Sequence, residues 1–257
     1  MDIITKNESN SDYHSNKSIS ASGLKEIYKK SVYHYLTKKW GATSESMKLG
    51  SAVHSYVLEG KEAFDKEFFV WDKPDLRKRE NKERQAEAMA LAKNREIISK
   101  SQFDIVQEIQ AHFYDYDLAN HYTKGIVELS HYANYENCPV KVRPDCLDKD
   151  NNWISDIKTC QDNSPRAFRS DIYKYNYHLQ AFFYCLILGI PVVNFRFLAV
   201  ETKPPYTVEV YALNDEQIKH GEQAFNKAFL EWKHYYQTGN VLKHITQYKA
   251  QDGALIL

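Results

Sequence analysis

The sequence lacks an excess of charge of either sign, because its 34 Lys and Arg residues are balanced by 34 Asp and Glu residues. No global positive field therefore marks the chain as a nucleic-acid binder, and any contact with DNA has to come from local clusters of basic residues. It also lacks a long apolar run, since the nearly apolar segment 181–193 is interrupted by Gly189 and Pro191. That segment is too short to span a bilayer, which takes about 20 residues.

Cysteine is scarce, and its four residues do not form a compact motif. Cys138, Cys146, Cys160 and Cys185 include no Cys-x-x-Cys pair, which argues against a zinc ribbon or a compact iron–sulfur site and favours free thiols. Residues 1–18 lack the apolar core of a signal peptide, so we expect a cytoplasmic protein. A hydrophobic content of 43% and a charged content of 26% are typical of a globular chain.

The hydrophobic periodicity predicts an α/β protein with one domain over residues 18–257, preceded by a flexible polar arm over residues 1–17. Helical spacing of apolar residues predicts helices over 20–38, 46–59, 76–100, 102–116, 173–188 and 214–238. Runs rich in β-branched and aromatic residues predict strands over 68–71, 126–132, 139–147, 153–159, 194–201 and 206–211.

The segment 141–159, KVRPDCLDKDNNWISDIKT, carries the chemistry. Asp156 and Lys158 are two residues apart in a predicted strand, so they share one face while Ile157 points into the core. The turn-rich DKDNN folds Asp145 back beside Asp156, and the two carboxylates suit Mg²⁺ or Mn²⁺. Taken alone, Asp-x-Lys is common and is usually a surface ion pair. Glu128, on the preceding strand, is either a further group of this site or an ordinary strand-end carboxylate.

The order Pro-Asp, Asp-x-Lys and then Gln-x-x-x-Tyr on the following helix resembles the PD-(D/E)xK nuclease superfamily. Within it, the chain is similar to the RecE-type exonucleases, the exodeoxyribonuclease VIII family of phages and prophages. The matching stretches are ISASGLKEIYKKSVYHY, LGSAVHSYVLE, KVRPD, NWISDIKT, YKYNYHLQAFFY and FLAVET, which together cover most of residues 18–212. One departure is Val32, since related nucleases often have proline after the small residue that is Ser31 here.

This resemblance implies a PD-(D/E)xK core with a mixed central β-sheet flanked by helices. It also implies roles for individual residues. The metal ligands would be His54, Asp145, Asp156 and the backbone carbonyl of Ile157, and the groups beside the scissile phosphate would be Lys158, Gln180 and Tyr184. Without the resemblance, His54 would be an ordinary helix residue, and Gln180 and Tyr184 would be packing residues on one helix face. His178 is a weaker candidate from the same block.

The activity implied by the resemblance is Mg²⁺-dependent hydrolysis of DNA, with Mn²⁺ able to substitute. Family members digest the 5′-ended strand of linear duplex DNA and leave a 3′ overhang for recombination. They form ring-shaped oligomers, usually tetramers, and work with a RecT-type single-strand annealing protein in the bacterial cytoplasm. Three alternatives stay open: a site-specific endonuclease, a CRISPR-adaptation nuclease with an iron–sulfur cluster, and a catalytically idle DNA-binding module.

Overall fold

The computed structural model describes residues 2–38, 44–72 and 79–241. Within these ranges the strands are β1 (Ile3–Lys6), β2 (Phe68–Val70), β3 (Glu96–Ile98), β4 (Ile126–Val127), β5 (Ser130–Tyr135), β6 (Cys138–Val142), β7 (Cys146–Asp148), β8 (Trp153–Cys160), β9 (Phe195–Glu201) and β10 (Val208–Tyr211). The helices are α1 (Asn10–Ser15), α2 (Ala21–Lys29), α3 (Val32–Thr37), α4 (Glu45–His54), α5 (Lys61–Glu67), α6 (Arg79–Ala92), α7 (Lys100–Asp115), α8 (Asp117–His121), α9 (Pro165–Lys174), α10 (Tyr177–Leu188) and α11 (Asp215–Thr238). A π-helical turn, Ser55–Glu59, follows α4, and a 3₁₀ turn, Val192–Asn194, precedes β9.

A mixed five-stranded sheet with the order β10, β9, β8, β7, β4 forms the centre of the fold. In it β8 runs parallel to β9 and antiparallel to β7. Strands β1, β5 and β6 form a separate antiparallel sheet, and β2 pairs with β3 in parallel. This mixed sheet with flanking helices confirms the predicted fold class.

Apolar side chains cover both faces of the central sheet, as the alternation along β9 shows. Phe195 and Phe197 belong to a core that also contains buried residues of α9, α10 and α11. Leu198 and Val200 belong to the opposite core, with buried residues of α4 and α7. Successive side chains of a strand point to opposite faces, so a strand covered on both sides reads as a continuous apolar run.

Two predicted strands are broken in the structure, and they break side by side. The predicted strand 126–132 divides into β4 and β5, and 139–147 divides into β6 and β7. β4 and β7 pair in the central sheet, whereas β5 and β6 pair in the smaller one. Glu128 takes up the change of direction with a left-handed backbone (φ 51°), and its N–H donates to the Asp145 carbonyl. The hairpin therefore passes from one sheet to the other at two carboxylate residues.

The polar segment 1–17, expected to be a flexible arm, instead contains a strand and a helix. β1 pairs with β5. Two buried cations, Lys141 in β6 and Arg143 directly after it, bind the residues that follow β1. Lys141 Nζ donates to the carbonyls of Tyr13 (2.5 Å) and Asn16 (2.7 Å), and Arg143 donates to Asn10 Oδ1 (2.8 Å). Polar residues without an apolar stripe are ordered here by long-range hydrogen bonds, which periodicity does not detect.

Several predicted helices are also interrupted. The helix predicted over 20–38 ends before Ser31, whose hydroxyl caps α3, and the one predicted over 173–188 is α9 and α10 around Asn176, which has φ 53°. The prediction over 76–100 was wrong for its end, which is strand β3, and part of its start lies outside the described residues. α11 is confirmed, with Asn214 and Gln217 forming a capping box. Among the described residues, none of the helices is both long enough and apolar enough to cross a membrane.

Candidate active site

The site lies along the edge of β8, where β7 ends. β7 pairs with β8 only as far as Ser155. From Asp156 onward, β8 is therefore paired with β9 along one edge, and its other edge has no partner among the described strands. Backbone groups on the open edge need other partners. Asp145 Oδ2 accepts a hydrogen bond from the Ile157 N–H (2.6 Å), and the Ile157 carbonyl accepts one from His54 Nε2 (3.0 Å). His54 and Asp145 therefore lie next to each other, because both bind the backbone of Ile157 in β8.

Glu128, Asp145 and His54 converge into one group of three potential metal ligands. One ligand atom of each lies within 4.8 Å of the other two. His54 Nδ1 is 3.2 Å from Asp145 Oδ2 and 4.0 Å from Glu128 Oε1. The three residues come from the C-terminal end of α4 and from the two points at which the broken hairpin changes sheet.

The electrostatics of this group favour a cation between its members. Burial opposes protonation of His54, but the charges of Asp145 and Glu128 outweigh it and raise the imidazole pKa to about 9. Burial and the neighbouring Asp145 charge raise the pKa of Glu128 to about 8. For Asp145, burial is opposed by the His54 and Lys158 charges, which together hold its pKa below the ordinary value. Protons on His54 and Glu128 therefore offset the negative charge of this group at neutral pH.

Asp156 and Lys158 lie beside this group, on the same face of β8 as predicted. Lys158 Nζ forms an ion pair with Asp156 Oδ2, and Gln180 Nε2 of α10 donates to Asp156 Oδ1 (2.5 Å). The Lys158 ammonium also lies 5.0 Å from the centre of the Tyr177 ring. Although burial disfavours the ammonium, the Asp156 and Asp145 charges raise the pKa of Lys158, so it is charged at neutral pH. Ile157 is buried in the opposite core.

The remaining predicted residues occupy different surroundings. Tyr184 is buried on α10, and burial followed by the Tyr13, Asp156 and Asp145 charges raises its pKa well above the ordinary value. It therefore keeps its phenolic proton and stays a hydrogen-bond donor. His178 is buried, and its Nδ1 bonds to the Ile172 carbonyl (3.1 Å), which ties α10 to α9.

Sequence reasoning missed two residues of this neighbourhood, Lys25 and Tyr177. Lys25 Nζ donates to Gln180 Oε1 (2.8 Å) and lies 5.6 Å from the centre of the Tyr177 ring. The available signal was weak: Lys25 is four residues after the buried Ala21 and therefore shares its helix face. Tyr177 lies in the matched block YKYNYHLQAFFY but has no motif position of its own.

The donor set fits a divalent metal ion. Carboxylate oxygens suit Mg²⁺, and the addition of an imidazole nitrogen suits Mn²⁺ as well. Asp156 Oδ2 is a buried carboxylate oxygen with no hydrogen-bond partner within the described residues, where its charge is met by the Lys158 ion pair. His54, Glu128 and Asp145 would hold the ion, whereas the Asp156 carboxylate, which the resemblance implied as a ligand, lies outside this group of three and is held by Lys158 and Gln180.

Two clefts give access to this region. A cleft of about 310 Å³ opens onto the metal-ligand group, and its lining includes Asn10, Ser51, Glu59 and Glu128. A larger groove of about 740 Å³ passes the carboxyl end of β8 and is lined by residues that include Thr159, Gly50 and Tyr177. Tyr177, whose ring centre lies 5.0 Å from the Lys158 ammonium, lines the larger groove, whereas His54 and Glu128 line the smaller cleft.

Residues 20–241 match the family described as "PDDEXK-like domain of unknown function (DUF3799)". The chain is also similar to a crystal structure from Eubacterium rectale named "Putative exonuclease", with a TM-score of 0.60 and 16% sequence identity. That match covers 92% of this chain and 89% of the other, and at this identity it concerns the fold. No curated protein matches the chain.

Proposed function

The chain belongs to the PDDEXK-like domain family DUF3799, and from this premise we propose that it is a divalent-metal-dependent nuclease that hydrolyses phosphodiester bonds in DNA. The observation that carries the proposal is the convergence of His54, Glu128 and Asp145 next to the Asp156–Lys158 pair. An idle DNA-binding module has no need for three converging ligands, of which Asp145 is buried, beside a partly buried ammonium whose charge burial disfavours.

Each side chain has a chemical task in such a reaction. A divalent ion bound by His54, Glu128 and Asp145 would act as a Lewis acid toward the phosphoryl group. The Lys158 ammonium can leave Asp156 to stabilise negative charge on the phosphate or to orient a water. Gln180 holds the Asp156 carboxylate from the side opposite to Lys158, and the open groove leaves room for the strand.

We further propose that the substrate is the 5′-ended strand of linear duplex DNA, that Mg²⁺ is the physiological ion, and that a 3′ overhang remains. The resemblance to RecE-type exonucleases supports this polarity, and the name of the structural neighbour agrees with exonuclease action. Cys138, Cys146, Cys160 and Cys185 are free thiols, and none joins a metal-ligand group within the described residues, which disfavours the iron–sulfur alternative.

Digestion of linear duplex DNA labelled at either the 5′ or the 3′ end tests the proposal. With Mg²⁺ or Mn²⁺ we expect early release of the 5′ label, and with EDTA no release. Asp145→Asn, purified in the same way, controls for a contaminating nuclease. Absence of hydrolysis with both ions would refute the proposal. Nicking of a covalently closed circle as fast as digestion of linear DNA would favour the endonuclease alternative.

We also propose that the protein acts as a closed ring of four subunits. A chain with no net charge has little whole-molecule attraction for DNA, and a ring retains threaded DNA even when each phosphate contact is weak. Light scattering should then give about four times 30.1 kDa, and a monomer would refute the ring. The 3′ overhang would be the substrate of a RecT-type annealing protein, whose annealing rate should rise when the digested DNA is added.

A further inference from the structure

A chain of two hydrogen bonds, partly buried at Lys25 and buried at Asp156, connects helix α2 to strand β8. Lys25 Nζ donates to Gln180 Oε1 (2.8 Å), and Gln180 Nε2 donates to Asp156 Oδ1 (2.5 Å). The Gln180 side chain is 6% exposed, so water competes little for either end of its carboxamide. Each end of the amide therefore has one protein partner.

Lys25 and Asp156 together hold this amide in one orientation. A protonated lysine has only donors, so the amide oxygen has to face it, and the NH₂ group then has to face Asp156. Without Lys25, the buried oxygen of Gln180 would lose its donor, and the carboxamide would be held at one end only, by its hydrogen bond to Asp156. The amide, and with it the Asp156 carboxylate, would then be less firmly fixed.

The position of Lys25 is costly for the folded protein. It shares the Tyr177 ring with Lys158, at 5.6 Å and 5.0 Å, so two ammonium groups lie near one carboxylate. Burial, together with the Lys158 charge, lowers the pKa of Lys25 to about 7, while Asp156 acts in the opposite direction. Because burial and the repulsion between the two ammonium groups both oppose the charge of Lys25, its position next to Lys158 does not stabilise the fold. This points to a role of Lys25 in the site.

We propose that Lys25 is a positioning residue, which fixes the Gln180 carboxamide so that Asp156 is held in place beside the metal-ligand group. The inference rests on the proposed nuclease function and deepens it. Lys25 acts through Gln180 and touches neither the metal-ligand group nor the Asp156 carboxylate.

Steady-state kinetics of three variants on linear duplex DNA test this role. Lys25→Met keeps the length and apolar stem of the side chain and removes the donor, so we expect kcat to fall at least tenfold with KM changed less than threefold. Lys25→Arg restores a donor and should keep at least a third of kcat. Lys29→Met, on the exposed end of the same helix, should stay within twofold of wild type. Equal activity of Lys25→Met and wild type, with both folded by circular dichroism, would overturn the proposal.

A double-mutant cycle with Gln180→Ala separates positioning from direct contact with DNA. If Lys25 acts through Gln180, Lys25→Met should lower kcat less than twofold further in the Gln180→Ala background. If the two losses multiply instead, Lys25 acts independently of Gln180 and the proposal is wrong.

A third measurement does not require activity. In protein labelled with ¹⁵N-glutamine, the side-chain NH₂ signal of Gln180 is identified by its absence in Gln180→Ala. It should shift as the pH passes about 7 in wild type and stay constant in Lys25→Met. The other ionisable groups that face Lys25 are Lys158 and Asp156 on β8 and Tyr177 and His178 on α10, and they are present in both proteins. A signal indifferent to Lys25→Met would refute the positioning role, whereas lack of DNA hydrolysis by wild type would refute the nuclease proposal.

Discussion

Divalent ions should stabilise the fold through His54, Glu128 and Asp145, and this can be measured without DNA. His54 Nδ1 faces both carboxylates, at 3.2 Å and 4.0 Å, so one ion can contact all three residues after small side-chain movements. The perturbation is His54→Ala, which removes the nitrogen ligand and leaves both carboxylates. We expect Mn²⁺ to raise the unfolding temperature of wild type and to have little effect on this variant.

The size of the effect follows from mass action. An ion that binds only the folded state stabilises it by RT ln(1 + [L]/Kd), about 2.7 kcal/mol at 100 times Kd. In a chain of this size each kcal/mol raises the unfolding temperature by about 2–4 °C, so wild type should gain about 5–11 °C. Loss of a partner that only orients a metal ligand costs 10–100-fold in affinity, and loss of the ligand itself should cost about 100-fold or more. The same Mn²⁺ concentration then equals Kd, and the gain falls to about 0.4 kcal/mol, or about 1 °C.

Thermal unfolding followed by circular dichroism, with Mn²⁺ and with EDTA, measures both shifts. The shift is compared rather than the absolute temperature, because His54→Ala also loses the hydrogen bond to the Ile157 carbonyl. Lys158→Met is the matched control, since its ammonium is no ligand and its loss should leave the Mn²⁺ shift at least as large as in wild type. An equal shift in His54→Ala and wild type would show that the ion binds elsewhere.

Three further predictions concern catalysis and pH. Asp156→Ala should lower turnover on linear DNA below about a tenth of wild type, a loss of at least about 1.4 kcal/mol, and a smaller loss at saturating Mg²⁺ contradicts its role. Lys158→Ala should still bind Mn²⁺ in calorimetry while losing most of kcat; a folded variant that no longer binds Mn²⁺ would show that Lys158 supports the metal site. Burial, followed by the Lys149 charge, lowers the pKa of His131 to about 4. The unfolded chain therefore binds a proton below about pH 6.5 that the folded one excludes, and stability should fall by up to about 3 kcal/mol between pH 6.5 and 4. His131→Asn should reduce this loss of stability, measured as the free energy of unfolding from urea titrations at several pH values. An unchanged dependence of that free energy on pH would contradict the assignment.

The sequence predicts elements well where local signals and burial agree. The capping box at Asn214 and the apolar stripe that follows it define α11, and the alternation from Trp153 to Thr159 defines most of β8. The shared face of Asp156 and Lys158 follows from the same alternation. These features depend on neighbours in sequence, so a single chain contains the information for them.

The break in the hairpin could not be predicted in the same way. Alternating apolar residues on either side of Glu128 and Arg143 suit a strand in either sheet. The left-handed backbone at the break (φ 51°) occurs at Glu128 rather than at a glycine, so the sequence contains no signal for it. The order of residues 3–16 likewise depends on strand β5 and on Lys141 and Arg143, all more than a hundred residues away in sequence. Without that break, Glu128 would stay an ordinary strand carboxylate and the three-residue group would not form.

The same side chains serve the fold and the proposed chemistry, and this has a consequence for the protein without a metal ion. Asp145 and His54 complete the hydrogen bonding of Ile157 on the open edge of β8. Neither side chain can therefore turn away to relieve the electrostatic repulsion within the group of ligands without breaking its bond to Ile157. Two carboxylates held this close require their negative charge to be offset, and the pKa values of His54, about 9, and Glu128, about 8, are raised so that protons on these two side chains offset it at neutral pH. A divalent ion satisfies the same requirement. The fold therefore keeps the ligands in place before the ion arrives, and the hydrogen bonds that close the edge of β8 are the reason that they stay there.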